Sequence, residues 1–214
     1  MSKKLHCPFS TDYSAIPDDA QIIILAIKDA VVEEIAGKLN AGDKLVVHVS
    51  GSLRLDAVMK ASKNYGVFYP LQSFLKERKV NFREIPICIE ANNAKSGELL
   101  KILGSSISNN VQLIDSEKRK TLHVAAVFAC NFSNHLYAIA EVLLQQKGLS
   151  FDMLVPLVTE TAKRTKLKSP RLLQTGPAAR GDKKIILEHL EYLKNLPDYM
   201  KIYELMTRSI ESDK

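Results

Sequence analysis

Short aliphatic and β-branched runs alternate with amphipathic segments over the first half of the chain. The runs predict strands at residues 21–27, 44–49, 66–69, 86–90 and 110–114. The amphipathic segments predict helices at residues 29–39, 55–63 and 95–103. The first run is apolar throughout, as in strands whose two faces are both covered by helices. This alternation, with short connections, predicts right-handed βαβ units on a parallel sheet.

No strand pattern follows residue 115. Small and apolar residues recur at helical spacing from Ser116 to Gln146, and Gly148 is predicted to end that helix. Further helices are predicted at residues 151–165, 182–194 and 197–211. The chain is therefore predicted to be an α/β protein with a sheet domain at residues 1–115 and an all-helical domain at residues 116–214.

Polar residues follow three consecutive predicted strands. Because ligands bind beyond the carboxyl ends of the strands in open parallel sheets, these residues predict a ligand crevice. Each also has a purely structural interpretation, with Asp29 as a helix cap and Ser50-Gly51 as a turn. The residues concerned are Lys28, Asp29, His48, Ser50, Gly51, Tyr69 and Gln72.

The long helix carries a second group of polar residues. On an α-helix of about 100° per residue, His123, Cys130 and Asn134 fall within about 40° of one another. Asn131 and His135 lie beside that stripe. A neutral imidazole can give or take a proton near neutral pH, and an asparagine can hold a substrate carbonyl or hydroxyl. The same side chains also suit a purely structural role.

A glycine-bracketed turn at residues 175–182 leads into a helix that Asp182 is predicted to cap. Within this turn, Arg180 can bind a carboxylate or a phosphate through two hydrogen bonds. The basic run at residues 163–171 contains no aromatic residue, so it is interpreted as a solvated loop. No G-x-G-x-x-G turn for a dinucleotide pyrophosphate occurs in the 214 residues.

Composition narrows the class of protein. With 46% hydrophobic and 25% charged residues, the chain is typical of globular proteins, which excludes fibrous and disordered classes. The net charge of +6 is small and dispersed, which argues against nucleic-acid binding.

The three cysteines bear on the cellular compartment. Cys7, Cys88 and Cys130 lie far apart and indicate free thiols in a reducing compartment, not disulfides or a metal site. Neither a secretory signal nor an aliphatic run of membrane length is seen, so a soluble, cytoplasmic protein with no membrane contact is expected.

Five segments in order carry a family resemblance: IIILAIKD, VVHVSGSLRLD, FYPLQSF, HVAAVFACNFSNHLY and TGPAARGD. Over roughly residues 20–210 the chain resembles a bacterial family assigned to the NADP oxidoreductases by analogy with deazaflavin-dependent enzymes. It more distantly resembles pyrroline-5-carboxylate and hydroxyacid reductases. The family has a Rossmann-like N-terminal domain and a helical C-terminal domain of uncharacterised function.

The resemblance implies a partial Rossmann-like parallel sheet here, N-terminally short because the first βαβ unit with its glycine-rich turn is absent. The family's usual HPLQ also reads YPLQ at residues 69–72.

The resemblance further implies NADP binding by the sheet domain, a small-molecule substrate between the domains and a homodimer formed through the helical domain. The residues assigned to the cofactor are Lys28, Asp29, His48, Ser50 and Gly51. Together with the polar stripe on the long helix, the resemblance assigns the substrate to Gln72, Asn134, His135 and Arg180, with His123 and Asn131 as the catalytic pair.

Two functional hypotheses follow. The first is a nicotinamide-dependent oxidoreductase for a small carbonyl, imine or hydroxy compound, in which His123 donates the proton and Asn131 orients the substrate. The second is a non-catalytic binding or dimerisation protein that has lost its cofactor-binding half, which the missing glycine-rich turn favours. The sequence does not choose between NADP and NAD, because the residue that selects between them follows a strand that is absent here.

Overall fold

The computed structural model describes residues 7–12 and 16–213, and its sheet has five strands in chain order. The strands are β1 (Ile22–Leu25), β2 (Leu45–His48), β3 (Asn64–Pro70), β4 (Ile87–Ala91) and β5 (Val111–Leu113). Strands β1, β2 and β3 are parallel, so their carboxyl ends lie at the same edge of the sheet. The predicted class, an α/β chain with a mostly parallel sheet followed by helices, is confirmed.

One strand pair departs from the predicted parallel arrangement. Strands β3 and β4 are antiparallel, whereas β4 and β5 are parallel. A parallel crossover usually contains a helix, but the connection from β3 to β4 holds only a 3₁₀ turn at Phe82–Glu84. The prediction of an all-parallel sheet is wrong at this pair. The lack of a helical pattern between residues 70 and 86 is the sequence signal for the antiparallel pairing.

Helices cover both faces of the sheet. Helix α1 (Asp29–Lys38) packs on one core cluster that includes Val46, and helix α2 (Ala94–Ile107) packs on a second cluster that includes Val47. Val46 and Val47 are both 0% exposed, and they point to opposite faces because side chains alternate along a strand. Burial on both faces accounts for the apolar character of the central strands.

The predicted helix between β2 and β3 is much shorter than expected. Only Leu55–Val58 is helical, as a 3₁₀ turn. Soon afterwards the Ser62 hydroxyl shares its single proton between the carbonyl oxygens of Gly42, at 2.9 Å, and Lys44, at 2.7 Å. These bonds tie the start of β3 to the loop before β2.

The long helix predicted after residue 115 is interrupted by a π-helical segment. It consists of α3 (Ser116–Ala126), the π segment Val127–Phe132 and α4 (Ser133–Gln145). The wider i→i+5 turns of a π segment rotate the residues that follow relative to a regular α-helix. The predicted stripe from His123 to Asn134 assumed a regular α-helix, so that alignment is not kept.

Among the described residues, this helix is also the one long and apolar enough to reach across a membrane. Over Ser116–Gln145 it is 30 residues long, and its most apolar 18-residue window has a mean hydropathy of 1.2. By length and composition alone, it could cross a membrane. A helix that packs against other protein surfaces meets the same criteria.

The chain packs as two units, residues 1–132 and 133–214. The division falls at the end of the π segment and places α3 with the sheet; the domain boundary at residue 115 stays a prediction. The second unit consists of α4, α5 (Val155–Arg164), α6 (Pro177–Arg180), α7 (Lys183–Tyr192) and α8 (Pro197–Ser212). The predicted end at Gly148, with φ +67°, and the predicted cap at Asp182, which accepts from the Ile185 amide at 3.3 Å, are both confirmed.

Candidate functional site

One carboxylate joins the carboxyl end of β1 to the loop after β2. Asp29 Oδ2 accepts hydrogen bonds from the hydroxyls of Ser50 at 2.7 Å and Ser52 at 3.1 Å. Ser50 Oγ accepts in turn from the backbone amides of Ser52 at 3.0 Å and Leu53 at 3.1 Å. The prediction of Asp29 as a helix cap is wrong, because Lys28 occupies the cap position and no side chain caps this helix. The carboxylate fixes the loop instead.

His48 lies beneath this loop and is 0% exposed. Its Nδ1 accepts from the Ser50 amide at 3.1 Å, and its Nε2 is 3.1 Å from the carbonyl oxygen of Arg54. A neutral imidazole protonated on Nε2 satisfies both contacts. Burial lowers the pKa of His48 below its ordinary value of 6.5, which keeps the ring neutral. The prediction that His48 lines the cofactor crevice is corrected: with no exposed surface, it supports the Ser50-Gly51 loop from below.

The imidazole of His123, on α3, lies against Gly51 and Tyr69. A Cβ atom at Gly51 would be 2.5 Å from His123 Nδ1 and 2.9 Å from Tyr69 Cζ, so only glycine fits there without displacing a ring. The Tyr69 hydroxyl is 3.2 Å from His123 Nδ1, and the two rings meet edge to face at 6.1 Å between centroids. Gly51, Tyr69 and His123 therefore form one contact cluster near the carboxyl ends of β2 and β3.

A buried ion pair attaches α3 to the sheet. Arg119 is 0% exposed and lies one helical turn before His123; its Nη1 binds Glu90 of β4 and its Nη2 binds the carbonyl oxygen of Leu53. Ser116 donates to Glu90 at 2.8 Å and accepts from Arg119 Nη2 at 3.2 Å. The guanidinium thus links the helix that carries His123 to the loop that carries Gly51.

Two protonated groups lie side by side on β3 and β4. Tyr69 and Cys88 are directly opposite each other in the antiparallel register. Burial raises the pKa of the Tyr69 phenol and of the Cys88 thiol. Both groups are therefore neutral near neutral pH, and Tyr69 keeps a proton to donate.

The other predicted site residues of the sheet unit are not joined to this cluster by side-chain bonds. Lys28 is exposed beside Asp29. Gln72 is exposed, and its Oε1 accepts from the adjacent Ser73 amide at 2.8 Å. Asn131 is exposed within the π segment.

Three predicted substrate residues belong to the helical unit. Asn134 and His135 begin α4, and Arg180 ends α6; all three are exposed. Their roles, like those of Lys28, Gln72 and Asn131, stay predictions. The structure brings together Asp29, Ser50, Gly51 and His123 of the predicted set.

Sequence reasoning missed four residues of the site: Ser52, Tyr69 as a partner of His123, Glu90 and Arg119. A signal existed for two of them. Arg119 is four residues before His123, on the same side of one helix. Tyr69 replaces the histidine of the family's HPLQ segment. The ion pair to Glu90 joins residues far apart in the chain and has no local signal.

A cavity lies at the other end of the strands. It has a volume of about 1030 Å³ and is lined by the loop before β2 and by residues of α2, among them Lys95, Leu99 and Ile102. Because parallel sheets bind their ligands at the carboxyl ends of the strands, the polar cluster around His123 is the better candidate site.

Comparison with known proteins gives one family match. The sequence profile of a domain of unknown function, DUF2520, matches residues 85–210. No curated protein matches the chain. A solved structure from Bacteroides fragilis, described as a "putative NADP oxidoreductase", is 40% identical with a TM-score of 0.91, over 99% of this chain and 83% of that one. Protein TM1727 from Thermotoga maritima is 24% identical with a TM-score of 0.75, over 94% of this chain and 80% of that one.

A more distant likeness concerns the fold alone. The 1-pyrroline-5-carboxylate reductase from Streptococcus pyogenes is 15% identical with a TM-score of 0.56, over 99% of this chain and 83% of that one. These likenesses confirm the predicted Rossmann-like sheet followed by helices. With the profile match and the 40% identity over nearly its whole length, the chain belongs to the DUF2520 family of NADP-oxidoreductase-like proteins.

Proposed function

We propose that this chain is an NAD(P)-dependent oxidoreductase acting on a small carbonyl, imine or hydroxy compound. The observation that carries the proposal is the position of His123, whose imidazole lies against Gly51 and Tyr69 at the carboxyl ends of three parallel strands. Sheets of this type bind their ligands at that edge. The cofactor class is taken from the relative described as an NADP oxidoreductase.

The residues present fit one half of such a cofactor. Ser52 places an exposed hydroxyl group at this edge of the sheet, next to Asp29, and the exposed Lys28 adds a positive charge there. These groups suit the ribose and phosphate next to a nicotinamide. The chain contains no glycine-rich turn for the pyrophosphate, so the fit is limited to the nicotinamide end.

The proposed roles follow from this placement. The bound nicotinamide supplies or accepts the hydride. In the reducing direction the hydride would form a C–H bond at the substrate carbon, and the imidazolium form of His123 would give its Nε2 proton to the substrate oxygen or nitrogen, becoming neutral before it regains a proton from solvent. Asn131 is proposed to orient the substrate. Gln72, Asn134, His135 and Arg180 remain proposed substrate contacts, of which Arg180 suits a carboxylate.

Calorimetric titration with NADPH and NADP tests the cofactor assignment. Micromolar binding is expected, and Lys28→Ala should weaken it up to about tenfold, equivalent to about 1.4 kcal/mol. Lys79→Ala, in the exposed connection between β3 and β4, is the matched control and should bind normally. Failure of wild-type protein to bind either nucleotide would contradict the proposal.

The catalytic role of His123 needs a separate test. His123→Ala should lower turnover by about 10²- to 10⁴-fold while leaving the affinity for NADPH within a factor of two or so, because general acid catalysis acts only on the chemical step. Unchanged turnover would remove His123 from the mechanism.

The second candidate is a non-catalytic binding or dimerisation protein. It is favoured by the absence of a glycine-rich turn from the sequence. The same titration separates the two functions, because stoichiometric nucleotide binding would contradict this candidate and no binding would favour it.

We further propose that the chain is a soluble, cytoplasmic homodimer formed through its helical unit. That unit leaves large apolar side chains exposed, including Leu157 (61%), Leu187 (65%) and Leu205 (60%). Its buried hydrophobic residues, among those the structure describes, are Ala178, Ile186 and Leu193. Such exposure is typical of protein interaction surfaces, and a second copy would cover it.

Light scattering in detergent-free buffer tests the assembly. A dimer has twice the 23.9 kDa mass of one chain. A soluble particle of that mass, broken to monomers by Leu157→Glu, is the expected result. A monomer, or protein that stays in solution only with detergent, would contradict the proposal.

A further inference from the structure

The direction of the hydrogen bond between Tyr69 and His123 depends on the imidazole tautomer. The Tyr69 hydroxyl lies 3.2 Å from His123 Nδ1, and no other described residue is within hydrogen-bonding distance of it. The phenol is half-buried, and burial raises its pKa, so it carries a proton that needs an acceptor. Nδ1 is the acceptor that the structure places within reach, so the contact favours the tautomer in which the hydroxyl donates and the imidazole nitrogen accepts.

The surroundings of Nδ1 favour the same direction. Gly51 is buried, and a Cβ atom added to it would lie 2.5 Å from Nδ1 and 2.7 Å from Cγ of His123. The Gly51 backbone therefore covers this side of the ring and leaves little room for water. A proton on Nδ1 would have to point at the phenol oxygen and would leave the phenol proton unpaired.

The opposite side of the ring is available. Nε2 of His123 contacts no hydrogen-bonding group among the residues the structure describes, and the residue is only partly buried. In a neutral imidazole whose Nδ1 accepts a hydrogen bond, the proton is on Nε2. His123 therefore offers an N–H donor on the side that faces away from Gly51 and Tyr69.

We propose that Tyr69 is a positioning residue: its hydroxyl holds His123 as the Nε2–H tautomer, so that the crevice binds its ligand through an acceptor oxygen, such as that of a carbonyl or carboxylate group. The tautomer itself does not depend on the function proposed above. The role of that N–H in orienting a substrate oxygen rests on the proposed function. A carbonyl compound is then a better substrate than a protonated imine, whose nitrogen is a donor and would face another donor.

Long-range ¹H–¹⁵N correlation spectra of the five histidines test the tautomer in the free, full-length protein. In mildly alkaline buffer, wild-type His123 should be protonated on Nε2 alone. Its signals are identified by their loss in His123→Asn. Tyr69→Phe keeps the ring and removes the hydrogen-bond donor. The ratio of the Nδ1–H to the Nε2–H tautomer should then rise roughly fivefold, which corresponds to the loss of a hydrogen bond worth about 1 kcal/mol.

Tyr65→Phe is the matched control. Tyr65 is on the same strand, and its hydroxyl makes no hydrogen bond with any described residue, so its removal should leave the His123 signals unchanged. Gly51→Ala supplies a second perturbation, because the added methyl displaces the imidazole and should shift the same signals. A wild-type His123 protonated on Nδ1, or a tautomer ratio unaffected by Tyr69→Phe, would overturn the proposal.

These outcomes are distinct from a failure of the proposed function. The spectra need no cofactor, so a protein that binds no NADPH can still show the Tyr69-dependent tautomer. Conversely, normal NADPH binding with an unchanged tautomer ratio in Tyr69→Phe would refute the positioning role alone.

Discussion

Removal of either partner of the ion pair between Arg119 and Glu90 should destabilise the sheet unit, but by unequal amounts. The side chain of Arg119 is 1% exposed and that of Glu90 is 16% exposed. Glu90→Leu leaves a buried guanidinium without its carboxylate, which costs about 3–5 kcal/mol. Arg119→Met leaves a carboxylate that water can reach and that keeps the Ser116 hydroxyl, so we expect a loss of about 1–3 kcal/mol.

The double variant makes the reasoning sharper. With both charges removed, the main remaining loss is the hydrogen bond to the carbonyl oxygen of Leu53. The Arg119→Met/Glu90→Leu protein should therefore be more stable than Glu90→Leu alone, because apolar replacement of a buried pair is often close to neutral.

Urea unfolding followed by far-ultraviolet circular dichroism measures these free energies. The exposed pair of Arg171 and Asp213, 2.7 Å apart, is the matched control, and Arg171→Met should cost less than about 1 kcal/mol. The reasoning is refuted if Glu90→Leu costs no more than that control, or if the double variant is the least stable of the set.

Three further predictions concern stability. Because burial lowers the folded-state pKa of His48, the unfolded chain takes up a proton first as the pH falls below 6.5. As the pH falls below 6.5, the free energy of unfolding should decrease until the pH reaches the folded-state pKa of His48. In urea unfolding measured over this pH range, His48→Asn should show a weaker dependence on pH than the wild-type protein; the same dependence in both proteins would contradict the prediction. Gly66→Ala places a Cβ atom 2.7 Å from the backbone oxygen of Glu90 and should destabilise by about 1–3 kcal/mol. Gly37→Ala, inside α1 with its nearest atom 4.0 Å away, should stabilise by about 0.5–1 kcal/mol, so thermal melts of the two glycine variants should move in opposite directions.

The strand pattern predicts much of the fold and part of the site. Apolar runs of strand length locate all five strands to within a few residues, because strands of a sheet covered by helices are rich in apolar side chains. Parallel pairing of β1 to β3 then brings residues that follow each strand to one edge. That argument alone places Asp29 near Ser50 and Gly51, as the structure has them.

What the sequence does not predict depends on contacts between distant segments. A histidine at a strand end is a residue type that often contacts a ligand. The His48 side chain instead lies on the buried side of its loop, between Ser50 and Arg54. Whether a histidine at a strand end faces solvent or core depends on how the loop folds over it. No local pattern contains that information.

The long helix illustrates a different limit. Its apolar spacing predicts a helix correctly, yet the π segment Val127–Phe132 changes which residues share a face. A π segment depends on how the helix packs rather than on local propensity, so an ideal helical wheel gives the wrong neighbours beyond it.

Strand β1 has consequences for handling the protein in the laboratory. Among the described strands it pairs with β2 alone, so the backbone groups along its other side have no strand partner, and Ile24 within its Ile-Ile-Ile-Leu sequence is 46% exposed. An apolar edge without charge or proline can pair with the same edge of another molecule and seed aggregation. A lysine in place of Ile24 would raise the concentration at which the protein remains clear, which makes it the first substitution to introduce before crystallisation or spectroscopy.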